Sequence, residues 1–158
     1  MNTFQFPKWE ELPTIDLYMD QVITYIEQQL SSIYFNDEKF ITKPMINNYV
    51  KTNIVEPPTK KHYNRKHLAY FIVVTILKHC YSMSQIAELI KIHTNMKDST
   101  VEQAYNLFIQ RFESTLNDLF QNGENSTFTA SVPQQLLMDH VVQCICYKIH
   151  TEYMLSKQ

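Results

Sequence analysis

The chain has 158 residues, of which 44% are hydrophobic and 19% charged, enough to build one domain with a true core and too apolar for wholesale disorder. It holds one glycine, Gly123, which rules out a Walker-type phosphate loop and a dinucleotide fingerprint, since both need several glycines, and argues against a turn-rich β fold. The net charge of −2 excludes little by itself, but it is unevenly spread: between Lys39 and His79 there are eight bases and a single acid, Glu56, so a +7 block sits inside a chain that is otherwise −9. Such a block is the electrostatic footprint of a phosphate-binding face.

Taken in chain order, the first thirteen residues contain Phe4, Phe6, Trp9, Pro7 and Pro13 and lack the basic start and apolar run of a signal peptide, so an extended arm is expected. From Asp16 to Leu30, apolar residues at Leu17, Val22, Ile23, Ile26 and Leu30 follow helical spacing. Thr42-Lys43-Pro44 is an N-cap followed by a helix-tolerant proline, and predicts a short helix to about Thr52 with Asn53 in the left-handed position at its end. Pro57 and Pro58 then force a loop carrying Lys60, Lys61 and His62. Asn64 caps the next helix, expected to reach about His79. Its residues are apolar almost all round, which makes it the central buried helix. The apolar run Leu68–Leu77 is too short to cross a bilayer.

Ser82 or Ser84 begins another short helix with Ile86, Leu89 and Ile90, and 93–98 is a polar hinge. Ser99-Thr100-Val101-Glu102 is a capping-box pattern ahead of a stripe at Tyr105, Phe108, Phe112, Leu116 and Leu119. Residues 121–130 are a polar loop. Ser131-Val132-Pro133-Gln134 repeats the capping pattern before a last helix to about Leu155. The expected fold is therefore all-α, with at most a small two-stranded wing near 55–63. It divides into an arm (1–13), a DNA-binding unit (14–95) and a C-terminal helical pair (96–158).

The order short helix, basic proline loop, buried helix, short helix is the layout of a winged helix-turn-helix, in which a helix enters the major groove and a basic wing grips phosphates. Phe40 to Leu89 resembles the DNA-binding domain of the MerR-type regulators. The likeness runs through Thr42-Lys43-Pro44-Met45-Ile46-Asn47-Asn48-Tyr49, the turn Asn53-Ile54-Val55-Glu56-Pro57, the wing end Lys61-His62-Tyr63 and the link Cys80-Tyr81-Ser82-Met83. The helix and wing arginines of that family fall on Asn47 and Lys61. The chain is more similar still to an uncharacterised family of small bacterial proteins sharing the segments Met45–Lys51 and Tyr63–Tyr70.

On this reading the helix over 43–52 presents Lys43, Asn47, Asn48 and Lys51 outward, with Ile46 and Tyr49 toward the core. Asparagine can read adenine bidentately, and lysine reaches phosphate or guanine. Lys60, Lys61, His62 and Arg65 are the expected phosphate contacts of the wing 57–63 and the helix start after it. The expected partner is double-stranded DNA and the expected role transcription regulation in the cytoplasm, in keeping with three cysteines of no framework spacing. A homodimer through 99–156 is expected because the last helix is apolar on more than one stripe and so needs a second covering surface, taken here as another copy. Cys144 and Cys146 point to opposite helix faces and suit packing better than a metal, and no nucleophile, metal or cofactor motif stands out, so neither an enzyme nor a cofactor is expected. The competing reading is a protein-interaction module on a redirected winged fold, docking a partner on the Phe4/Trp9 arm or the Tyr105/Phe108/Phe112 stripe.

Overall fold

The computed structural model describes residues 3–95, 99–123 and 133–158. Six α-helices account for most of them: α1 (Met19–Leu30), α2 (Lys43–Lys51), α3 (Arg65–Leu77), α4 (Met83–Thr94), α5 (Val101–Asn122) and α6 (Pro133–Ser156). Among the described residues there is no extended strand, only two isolated antiparallel bridges, Leu17 with Tyr63 and Thr59 with His62. The all-α expectation holds. No helix among the described residues is long and apolar enough to cross a membrane.

The helix starts follow local chemistry. The Thr42 hydroxyl accepts from the Met45 amide at 3.3 Å, and the Asn64 side chain accepts from the His67 amide at 3.1 Å. Ser82 and Gln85 cap each other reciprocally at the start of α4. Two boundaries differ from the sequence reading. α1 begins at Met19 rather than Asp16, because Leu17 is used instead to pair its backbone with Tyr63 in both directions, at 2.9 and 2.8 Å. The box before α5 is Thr100 with Gln103, one residue beyond Ser99 and Glu102, since the same threonine-to-glutamine spacing offers an equal pair. α5 closes on Gly123 at φ 76°, the left-handed position that glycine adopts without steric cost. The expected hinge at 93–98, loop at 121–130 and second capping pattern at 131–134 fall partly or wholly outside the described residues.

α3 is the hub. It is buried on nearly every side, as its apolar circumference requires, and packs against α1, α5 and α6. The core is one cluster from Phe6 to Ile149, so arm, central helices and C-terminal pair share it.

This geometry corrects the argument made for a second copy. The stripe of α6 through Ile145, Cys146 and Ile149 is covered within one chain: the three are fully buried against α5 and α3, and the Cys80 thiol after α3 lies 3.6 Å from the Cys144 carbonyl. Periodicity counts the apolar faces of a helix without saying which surface meets them. Cys144 is exposed and Cys146 buried, as the spacing implies.

The arm lies along α5. The Phe4 and Phe6 amides donate to the side chains of Asn117 and Glu113 at 2.8 and 2.9 Å, and the Trp9 amide donates to Asn106 at 2.8 Å. Tyr105 donates to the Pro7 carbonyl at 2.7 Å. Phe6 meets Phe112, Phe4 meets Phe120 and Trp9 meets Tyr105, at centroid distances of 5.1, 4.7 and 6.4 Å. Both surfaces of the interaction-module reading are therefore engaged with each other.

His79 closes α3 with its ring nitrogens 3.2 and 3.1 Å from the carbonyls of Ile76 and Ile33. Burial lowers its pKa below the ordinary 6.5, outweighing the pull of those carbonyls toward the charged ring, and burial acts the same way on His93. The folded chain thus takes up these protons less readily than the unfolded one. The stability they contribute is present above the unfolded value and lost as pH falls toward the depressed one. The urea midpoint is expected to be lower at about pH 5.5 than at about pH 7.5, with a smaller difference in His79→Gln. An equal difference in the variant would remove His79 from this account.

Candidate nucleic-acid interface

α2 is amphipathic over its two and a half turns. Ile46 and Tyr49 are buried at 0% and 1% exposure, while Lys43, Asn47, Asn48 and Lys51 are all exposed on the other side. The structure therefore brings the four side chains expected on this helix to one solvent face.

Past Lys51 the chain folds back on its own helix. Asn53 takes φ 61°, and the Ile54 and Val55 amides both donate to the Tyr49 carbonyl, at 3.0 and 3.1 Å. Ile54 and Val55 are buried, which anchors the loop that follows. His67 holds the base of that loop. Its Nδ1 accepts from the Asn64 amide at 3.0 Å, which leaves Nε2 to donate to the Glu56 carbonyl at 3.1 Å.

At the tip, Thr59 and His62 exchange backbone hydrogen bonds of 3.0 and 2.8 Å around Lys60 and Lys61. Both lysines have positive φ, 50° and 66°, the signature of a type I′ turn. Such turns favour asparagine and glycine, and a left-handed non-glycine residue costs roughly 1–2 kcal/mol. Two lysines in these positions are poor for the turn and good for displaying charge.

The start of α1 ties the turn to α2. Tyr18 packs on the His62 ring at 4.4 Å, and Asp20 pairs with Lys43 at 2.9 Å. These two contacts, two residues apart at the start of α1, bring the turn and the first turn of α2 to the same end of that helix.

The eight bases of the central block are not equivalent. Lys39 pairs with Glu27 at 3.8 Å and Lys66 with Glu56 at 3.2 Å. Lys78 lies 5.7 Å over the Tyr49 ring. Arg65 departs from its expected role: its guanidinium donates to the Leu12 carbonyl at 3.2 Å and lies 5.9 Å from the Trp9 ring, so it serves the arm rather than the turn. Lys51, Lys60 and Lys61 remain exposed and form no ion pair among the described residues. The Lys43–Asp20 pair has both side chains largely exposed, 60% and 79%, so exchanging that acid for a phosphate costs little.

Two exposed apolar residues ahead of α1 escaped the sequence reading, Ile15 at 70% and, beside the turn, Tyr18 at 57%. A signal existed for the second. Tyr18 occupies the N-cap of α1, where a tyrosine supplies no capping oxygen to the helix amides, so its choice there is not explained by the helix. Among the described residues no group of three or more metal-ligating side chains converges.

Residues 7–108 match a family described as a domain of unknown function, DUF1836. The chain belongs to that family. The matched span opens in the arm and ends within α5, so it takes in the face of α2, the basic turn and the segment of α5 that binds Pro7 and Trp9. No curated protein and no solved structure is significantly similar to the chain.

Proposed function

We propose that the chain is a cytoplasmic regulator that binds double-stranded DNA, with α2 in the major groove and the 57–63 loop acting as a basic wing on the phosphates. The observation that carries this reading is the pairing of two exposed asparagines and Lys51 on α2 with an adjacent two-lysine turn whose unpaired cations sit in strained backbone. Asparagine suits adenine edges, and the lysines supply salt-dependent grip. The bridge between Leu17 and Tyr63 adds a third short segment to the turn and supports its description as a wing in the manner of the MerR-type domains. Tyr18, packed on the His62 ring and exposed, extends the surface beside the turn.

The test replaces the turn by its favoured sequence. Lys60→Asn with Lys61→Gly is expected to raise unfolding free energy by roughly 1 kcal/mol, because the backbone strain is relieved. The same variant is expected to bind a random duplex pool more weakly, with the slope of log affinity against log salt shallower by about two. A stabilised protein with unchanged binding at every salt concentration would remove the wing from the proposal.

Two-fold symmetry doubles the DNA surface contacted, and we place a dimer on the outer face of α6 rather than its covered stripe. Leu136, Tyr147 and Met154 recur along one stripe there, each about half exposed. Sedimentation at micromolar concentration is expected to give twice the 18.8 kDa chain mass, reverting toward one chain in Tyr147→Asp.

A further inference from the structure

A cavity of about 800 Å³ lies between the link after α2, α3, α4 and the first turns of α5. Small-molecule sites run to roughly 300–1,000 Å³, whereas close-packed interiors leave few gaps larger than a water. Its wall is mainly apolar, with Val55 from the link, Val73 and Leu77 from α3, Ile90 from α4, Phe108 from α5 and Val141 from α6.

The charged groups on that wall are Lys66, Glu56 and Lys91. Lys66 and Glu56 both line the cavity and neutralise each other at 3.2 Å. Lys91 is exposed and forms no ion pair among the described residues, so the wall carries one uncompensated positive charge. His93 is held neutral at physiological pH by burial, which depresses its pKa. Neither its ring nor the Tyr70 hydroxyl has a hydrogen-bond partner among the described residues, and both line the cavity. An entering molecule thus meets one uncompensated cation, uncharged hydrogen-bonding groups that include His93 and Tyr70, and a mainly apolar wall. A multiply charged anion would lack counter-charge there, and a cation would be repelled by Lys91.

We propose that this cavity binds a small monoanionic amphipath, a carboxylate on an aliphatic or aromatic body, with the carboxylate on Lys91 and the body against the α3 and α5 side chains. This does not depend on the DNA reading. The test is isothermal titration of the full chain with decanoate, decanol and decylammonium, each below its aggregation threshold. Decanoate is expected to bind once per chain, decanol about fivefold more weakly, and decylammonium more weakly than decanol. Lys91→Gln is expected to bring decanoate down to the affinity of decanol and to leave decanol unchanged, which a general structural defect would not do. Ala104→Trp fills the cavity from α5 and is expected to abolish both with helical circular dichroism retained. Should that variant not fold, Ala87→Phe fills it from α4. The proposal is overturned by the absence of saturable binding of decanoate, by decylammonium binding as tightly as decanoate, by indifference to Lys91→Gln, or by binding that survives a folded, filled cavity.

Discussion

Arg111→Met is expected to destabilise the fold by roughly 3–5 kcal/mol, the usual result of leaving a buried charge without its partner. Arg111 on α5 pairs with Asp139 on α6, and the two side chains are only 12% and 4% exposed. One carboxylate oxygen of Asp139, Oδ2, is buried with no hydrogen-bond partner among the described residues, so the acid depends heavily on the arginine. Against a total stability of about 5–15 kcal/mol, the loss is from about a fifth to nearly all of the whole. The double change Arg111→Met with Asp139→Leu removes both charges and is expected to recover most of the loss, because a matched apolar pair escapes the desolvation cost. Urea unfolding of the two variants decides it. A double variant no better than the single one would mean that the pair holds α5 and α6 in register through more than its charge.

The second large effect concerns recognition. Asn47→Ala with Asn48→Ala is expected to cost roughly 1–3 kcal/mol per lost base contact on the preferred duplex, a loss of about 30-fold or more for two, while binding to unrelated duplex stays nearly constant. The fold gives a clean control. Both side chains are exposed, and alanine is a better helix former than asparagine, so α2 is not weakened by the change. Sequences selected from a random pool by the parent chain supply the preferred duplex. If the variant still discriminates them, α2 is not the reading helix.

Much of the architecture was legible in local chemistry. The caps at Thr42, Asn64 and Ser82 act over three residues, and the structure keeps all of them. The all-round apolar surface of α3 announced its central place, since only a buried helix can carry one. The outward face of α2 followed from Ile46 and Tyr49 being three apart. What was not legible is long-range and polar. Asn106, Glu113 and Asn117 look like an ordinary solvated helix face, yet they accept the backbone amides of the arm. Arg65 sits in the middle of the basic block and belongs to that arm as well. Arg111 and Asp139 carry no local sign that they will meet. Charge counts also hid the difference between Lys60 and Lys61, which form no ion pair among the described residues, and Lys39 and Lys66, which do.

The docked arm sets an order of assembly on the growing chain. Its partners lie 97, 107 and 113 residues further along, so Trp9, Phe6 and Phe4 leave the ribosome long before Asn106, Glu113 and Asn117 exist to receive them. These are among the most non-local contacts a chain of this length can make, and non-local contacts close late. Until then the three aromatic rings stand without their partners, apolar surface of the kind that chaperones bind. The matched family span stops at Phe108, short of the acceptors for Phe4 and Phe6. A fragment cut to that span would keep α2 and the basic turn, yet lose both the front of the arm, with Phe4 and Phe6, and the side chains that receive it.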